Sequence, residues 1–196
     1  MLGGLFKKKD NSARDMRDIT DNLYSCALLN TREPIFYEKH GVPDSFDGRF
    51  DLLLVHLFII MHLLMGQDEY EDLAQSLFDS VFKDMDQTLR EMGIGDMGVP
   101  KHMKRMMKAF NGRMHSYQWA VAPDSLEGQE VEGLQKTSLV QALERNLYGT
   151  VKDSEGWDQS VLKDMEAFIV DNIKDKSPKR IEDILNGLIV YKNKEG

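Results

Sequence analysis

Large apolar residues recur along much of the chain at spacings of three and four, a pattern that predicts helices. The clearest case runs from Leu77 to Met92, where these residues follow one side of a helix and Gly93 marks its predicted end. No segment alternates apolar and polar residues between turn signals, as a half-buried strand does. We therefore predict an all-α protein, a compact helical domain of about six to eight helices.

The most hydrophobic stretch, from Leu52 to Met65, is apolar on every side. Its 14 residues fall short of the ~20 that a membrane-spanning helix needs. We predict instead a buried helix, with Asp47 as its N-cap and Gly66 as its end. No transmembrane segment is expected.

Other helices are predicted between residues that break helical structure. Arg32-Glu33-Pro34 ends a first helix that starts at Asp18, and Gly41–Asp44 forms a turn. Asn111-Gly112 either ends or only weakens a helix that begins at Pro100. Further helices are expected over residues 137–148, 158–173 and 178–190, after an irregular loop or lid near 123–136.

These boundaries divide the chain into three parts. Residues 1–17 form a flexible N-terminus, 18–150 a helical core, and 151–196 a C-terminal helical extension packed on that core. The N-terminus is expected either to be solvated or to touch a membrane surface weakly through Leu2, Leu5, Phe6 and Lys7–Lys9. It has no apolar segment long enough for a signal peptide.

Composition excludes several classes of site. The 196 residues include one cysteine, Cys26, so disulfide frameworks and all-cysteine metal sites are excluded, and a buried structural thiol is predicted. The sequence Gly93-Ile94-Gly95-Asp96-Met97-Gly98 matches a dinucleotide-binding pattern but follows a helix where that motif follows a strand, so it predicts a turn. We predict no catalytic residues, no cofactor and no metal site.

Charge is distributed unevenly around a net value of −8. Residues 51–90 carry eight acids and two bases, whereas 99–115 carry five bases and no acid. The basic residues either pair with the acidic helix or contact ribosomal RNA or lipid headgroups, but no sequence-specific nucleic acid. This candidate ribosome- or lipid-contact set is Lys101, Lys104, Arg105, Lys108 and Arg113.

Methionines are also clustered, since six of the 12 fall within residues 85–107. Flexible thioethers suit surfaces that accept varied apolar helices, although each one is by default a core residue. Copper ligation would require closely spaced exposed methionines, and only Met103, Met106 and Met107 approach this. We favour a client-binding surface.

Short segments resemble a known family in order and spacing. They are Arg32–Tyr37, Gly41–Asp51, Phe78-Asp79, Asp84–Asp86, Leu89–Asp96, Ala109–Arg113 and, more weakly, Ala142–Tyr148. Together these segments resemble the ubiquinol–cytochrome c chaperone family, over about residues 20–150.

The resemblance implies an all-helical, non-enzymatic assembly factor for the cytochrome bc1 complex that holds newly made cytochrome b. Its expected partners are cytochrome b or another bc1 component, a small helical partner protein, and the ribosome or a membrane surface. Without a presequence the chain looks bacterial, so we expect it in the cytoplasm or peripherally on the cytoplasmic face of the inner membrane. The alternative is a membrane-surface or haem-handling protein that uses His56 or His62.

Candidate contact residues come from the positions that carry the resemblance, from the clustered methionines and, for His56, from the apolar stretch 52–65. The predicted client- or partner-binding set is Phe36, Tyr37, Arg49, His56, Asp79, Asp84, Asp86, Arg90, Asp96, Met103, Met106 and Met107. Arg49 lies between two acids at a helix start, so pairing with Asp47 or Asp51 is the structural alternative for it. Gly41, Gly48, Gly93 and Gly95 are predicted to be structural turns.

Overall fold

The computed structural model describes residues 3–67, 70–126 and 137–188, with side chains from Met16 onward. Within these ranges the chain is all-helical, with eight α-helices, one 3-10 helix and no strand, as the periodicity predicts. The helices are α1 Gly3–Thr31, α2 Ile35–Glu38, α3 Phe46–Leu64, α4 Tyr70–Glu91, α5 Val99–Val121, α6 Leu139–Asn146, α7 Val161–Ile173 and α8 Pro178–Leu185, with the 3-10 helix at Pro123–Leu126.

Helix α3 is the centre of the fold and packs against α1, α4, α5, α7 and α8. Its apolar residues lie on all sides, and Leu52, Leu54, Ile59 and Leu63 are fully buried. A helix that is hydrophobic all round needs partners on every face, which the surrounding helices supply. The predicted buried helix is confirmed.

Helix α3 begins two residues earlier than the sequence predicts. Ser45, not Asp47, is its N-cap, with an extended backbone and a side-chain oxygen that accepts a hydrogen bond from the Gly48 N–H at 3.1 Å. Asp47 lies in the first turn, where a carboxylate interacts favourably with the helix dipole. Both residues suit a helix start, so composition alone did not separate them.

Gly48 lets this first turn pack directly against the preceding loop. A Cβ at residue 48 would lie 2.1 Å from the carbonyl oxygen of Pro43, which is backbone and cannot rotate away. Gly48→Ala is therefore expected to lower the free energy of unfolding by about 3 kcal/mol, measured by urea denaturation. Gly95→Ala is the matched control, because nothing lies within 4 Å of that Cβ, and it should change stability by less than ~0.5 kcal/mol. Equal effects of the two substitutions would contradict this packing account.

Helix α1 begins at Gly3, well before the predicted start at Asp18. Residues 5–17 contain no Pro or Gly and several good helix formers, so the local sequence supports extension toward the N-terminus. Helix α5 also continues past Asn111-Gly112 to Val121, with Gly112 facing open space. The apolar face on both sides of Gly112 keeps this helix intact.

The glycine-rich segment after α4 is a turn, as predicted. Gly93 follows the end of α4 and has a φ of +81°, a left-handed conformation that favours glycine. Pro100 lies in the first turn of α5, where its missing N–H costs nothing. Of the predicted loop at 123–136, residues 123–126 form the 3-10 helix and residues 127–136 lie outside the described residues.

Candidate functional site

Exposed methionines surround the junction between α4 and α5. Met97 is 97% exposed, Met92 58% and Met107 40%, and they are three of the five large hydrophobic residues exposed in the described part of the chain. Met92 and Met97 lie at the junction and form what we call the methionine patch, whereas Met107 lies about two turns into α5. Met106, expected to contact a client, is 3% exposed and packs in the core, and Met103 is partly buried against it.

A groove lies between the end of α1, the start of α3 and the middle of α4, with a volume of about 220 Å³. Its apolar wall includes Leu28, Phe46, Phe50, Leu53 and Met85. Three residues of the predicted contact set, Tyr37, Arg49 and Asp84, also line it, so the fold brings them together. We call this the Arg49 groove.

Arg49 is held by neighbours that the sequence did not indicate. Its Nε donates a hydrogen bond to Asp44 Oδ1 at 2.7 Å, and its guanidinium lies 5.6 Å from the centroid of the Tyr37 ring. The structural alternative for Arg49, pairing with Asp47 or Asp51, is therefore wrong in its partner, which is Asp44. Across the groove, the Tyr24 hydroxyl donates to Asp84 Oδ2 at 2.8 Å. The Arg49 guanidinium and the Asp84 carboxylate, which carry opposite charges, both line the apolar groove.

The Arg49 groove is continuous with the methionine patch along α4. Asp84, Thr88 and Met92 are spaced by four residues and therefore share a face of that helix. Asp84 and Thr88 line the groove, and Met92 follows one turn later. The resulting surface joins an apolar groove to exposed thioethers.

An exposed charge cluster braces the α4–α5 junction. Arg90 Nε donates to Asp86 Oδ2 at 2.7 Å, as the spacing of four predicts, and Arg90 Nη1 donates to Asp96 Oδ1 at 2.6 Å. Such exposed pairs contribute little to stability, so they orient the turn more than they stabilise it. Asp79 lies elsewhere on α4 and accepts a hydrogen bond from Gln75 at 2.8 Å.

Four of the five predicted basic contact residues form an exposed strip along α5. They are Lys101, Lys104, Arg105 and Lys108, which we call the basic strip, on the side opposite Met106 and Phe110. Arg113 differs, because its side chain is mostly buried and its Nη2 lies 2.8 Å from Asp51 Oδ1. Arg113 is therefore a structural residue and not part of the strip.

The Asp51–Arg113 pair lies in a cleft of about 400 Å³ between α3, α5 and the end of α6. Burial raises the pKa of Asp51 to about 7, although the nearby Arg113 guanidinium acts in the opposite direction. The carboxylate thus loses more from removal of water than it gains from its partner. This cost makes the pair sensitive to pH.

The free energy of unfolding should fall as the pH rises from about 4 to about 7. The unfolded pKa of Asp is about 3.9, so between pH ~4 and ~7 the folded protein binds a proton that the unfolded chain has released. The contribution of Asp51 is complete below pH ~4 and is lost by pH ~7, a decrease of about 4 kcal/mol. Unfolding by urea from pH 4 to pH 8 measures it. Asp51→Asn should remove this pH-dependent component, and an unchanged profile in that variant would contradict the assignment.

Two further residues of the predicted contact set are core residues. Phe36 is 1% exposed and His56 is fully buried, and their rings lie 5.1 Å apart beside Phe168. Neither can touch a partner in this conformation, so the expectation of a surface contact was wrong for both. The presence of Phe36 in a resembling segment is explained by packing.

Haem ligation has no suitable site at either predicted histidine. His56 is enclosed by aromatic rings, and His62 lines a cavity of only about 180 Å³. Ligand pockets generally start near ~300 Å³. Cys26 is a buried free thiol, as predicted.

Two kinds of feature are absent from the described residues. No group of three or more His, Cys, Asp and Glu side chains there could hold a metal ion. None of the helices there is both long enough and apolar enough to cross a membrane.

Comparisons with known proteins agree on one family. The family model for the ubiquinol-cytochrome C chaperone matches residues 38–187, so it extends past residue 150 and includes α7 and α8. Among solved structures, the chain is similar to the crystal structure of the Cbp3 homolog from Brucella abortus, at 30% sequence identity and a TM-score of 0.70, over 98% of this chain and 97% of that chain. A comparison with curated proteins found no match.

Proposed function

Since the chain belongs to the ubiquinol-cytochrome C chaperone family, we propose that it is a non-enzymatic assembly factor that binds cytochrome b during biogenesis of the bc1 complex. A chaperone of this kind needs a surface that accepts apolar helices before they reach their final partners. The methionine patch is the observation that carries the proposal.

Methionine suits this role for a physical reason. Its unbranched thioether side chain adapts to differently shaped apolar partners, so one surface can receive several helices. Met97 is almost fully exposed, which costs solvation free energy in the isolated protein unless a partner covers it. Met97 lies in the turn between α4 and α5, with Asp96 and Gly98 on either side of it.

The Arg49 groove provides an anchor beside the patch. Its apolar wall is suited to one or two large side chains from a client helix, and Arg49 and Asp84 can pair with polar groups at the helix end. Tyr37 keeps the Arg49 guanidinium over its ring, which limits the conformations that binding must fix. Asp86, Arg90 and Asp96 border the same surface.

The basic strip supplies a second contact, with ribosomal RNA or anionic headgroups. Its exposed bases face away from the core of the protein and are not matched by acids on the same helix. A site of action in the cytoplasm, at the inner membrane face, fits this contact and a membrane-protein client. A small helical partner protein is the remaining expected partner.

Site-specific photo-cross-linking tests the client surface. A photoreactive residue placed at position 92 or 97 is expected to cross-link to cytochrome b in cells. Leu188 is the matched control, because it is also a large apolar residue, 61% exposed, but lies outside the patch. Cytochrome b adducts from position 188 as abundant as those from 92 and 97, or none from 92 and 97, would overturn the proposal.

A further inference from the structure

A cavity separate from the Arg49 groove lies between the end of α3 and the second half of α5, with a volume of about 180 Å³. Two imidazoles, His62 and His115, and three thioethers, Met61, Met65 and Met114, line it. All five are groups that ligate soft metal ions. None of these side chains has a function in the client surface described above.

Hydrogen bonds fix which nitrogen of His62 carries the proton. The Ser125 hydroxyl donates to the Ala122 carbonyl at 2.6 Å, so its oxygen accepts from Gln118 Nε2 at 2.7 Å. With the amide nitrogen committed as a donor, Gln118 Oε1 faces His62 Nδ1 at 3.0 Å and must accept from it. His62 Nε2 is therefore left with its lone pair.

His115 has the same tautomer for a simpler reason. Its Nδ1 lies 2.9 Å from the backbone carbonyl oxygen of Asn111, which can only accept. The lone pair is again on Nε2. Metal-ligating histidines almost always donate their other ring N–H to a carbonyl, amide or carboxylate oxygen, and both imidazoles here already do so.

A thioether sulfur lies close to the amide that orients His62. Met65 Sδ is 3.8 Å from Gln118 Nε2, the amide nitrogen of the side chain whose oxygen accepts from His62.

We propose that this cavity binds one Cu(I) ion through Nε2 of His62, Nε2 of His115 and thioether sulfur from Met65 or Met114. Among the described residues that line the cavity there is no carboxylate and no thiolate, so these side chains offer no negative charge to a divalent ion. Neutral nitrogen and thioether donors favour a soft monovalent ion over Zn²⁺ or Mg²⁺. The sequence predicted no metal site because these ligands come from helices about 50 positions apart.

Competition with a Cu(I)-specific chelator, under anaerobic reducing conditions, measures the affinity of the full-length protein. NMR of protein labelled at the methionine methyl carbons identifies the ligands. One equivalent of Cu(I) is expected to bind and to shift the methyl signals of Met65 or Met114. His115→Gln, and the combined Met65→Leu and Met114→Leu, should each weaken binding 10- to 100-fold. Met107→Leu, on the exposed side of α5, is the control and should bind as the wild type.

Both test substitutions are chosen to preserve the fold. His115 is only partly buried, and leucine nearly conserves the volume of methionine. Unchanged helix content by circular dichroism excludes unfolding as the cause of lost binding. Signal shifts confined to Met92 and Met97, unchanged affinity in both variants, or Zn²⁺ binding as tightly as Cu(I) would overturn the proposal.

Discussion

Arg113→Met is expected to lower the free energy of unfolding by about 2–3 kcal/mol at pH 8, a large effect for one substitution. At most about 1.4 kcal/mol of this is the lost pairing with the ionised Asp51 carboxylate, because a carboxyl with a pKa of about 7 takes up a proton at that cost. The substitution leaves the Asp51 carboxylate buried without the guanidinium that now lies 2.8 Å away. Removing one partner of a buried pair costs more than removing both, because the remaining charge still lacks water. Urea denaturation of the purified variant measures the loss.

Two comparisons isolate the cause of this loss. The double variant Asp51→Asn with Arg113→Met should regain part of the stability, because no buried charge remains. Arg105→Met removes a weaker ion pair, the one between Arg105 and Asp47. Arg105 Nη2 lies 3.8 Å from Asp47 Oδ1, and both side chains are more than 60% exposed. This substitution should cost less than ~1 kcal/mol. Similar losses for Arg105→Met and Arg113→Met would contradict the structural role assigned to Arg113.

The loss from Arg113→Met should also depend on pH. Because burial raises the pKa of Asp51 to about 7, the carboxyl is protonated at pH 5 in the folded protein. A neutral carboxyl needs no cation, so the cost at pH 5 should be well below the cost at pH 8. A loss that stays the same at both pH values would indicate a packing defect and not an unpaired charge.

The second large effect concerns binding and not stability. Met92→Glu combined with Met97→Glu should weaken binding of cytochrome b at least ~10-fold, because an apolar client helix would then have to desolvate two carboxylates. Both residues are more than half exposed, so the free energy of unfolding should change by less than about 0.5 kcal/mol. Recovery of cytochrome b with the tagged protein from solubilised membranes measures the binding.

Matched variants separate apolar contact from charge in general. Met92→Leu with Met97→Leu keeps apolar side chains of similar size and should retain most binding. Leu188→Glu places the same charge at another exposed apolar residue and should bind as the wild type. If this control loses as much binding as the double glutamate variant, added charge and not the methionine patch is responsible.

Local sequence predicted the elements whose signals are local. The apolar stretch 52–65 predicted the central helix α3, and Gly93 predicted the end of α4. The sequence could not decide between Ser45 and Asp47 as the N-cap of α3. Both residue types cap helices, and the difference between them lies in the backbone geometry.

Contacts between distant residues were not predictable from spacing. Arg113 belongs to the same basic run as Lys101 and Lys108, and only the position of α3 makes it a buried partner of Asp51. The exposure of each methionine was equally unpredictable from spacing, since Met106 faces the core while Met107 is exposed. Composition located the cluster, and helix packing decided which members form a surface.

The most direct test of the assembly role is the bc1 content of membranes from a strain that lacks this protein, measured by haem b difference spectra and immunoblots for cytochrome b. We expect bc1 content to fall in the deletion strain. The wild-type gene and Leu188→Glu should restore it, and Met92→Glu with Met97→Glu should not. Normal bc1 content in the deletion strain, or full restoration by the double glutamate variant, would contradict the account.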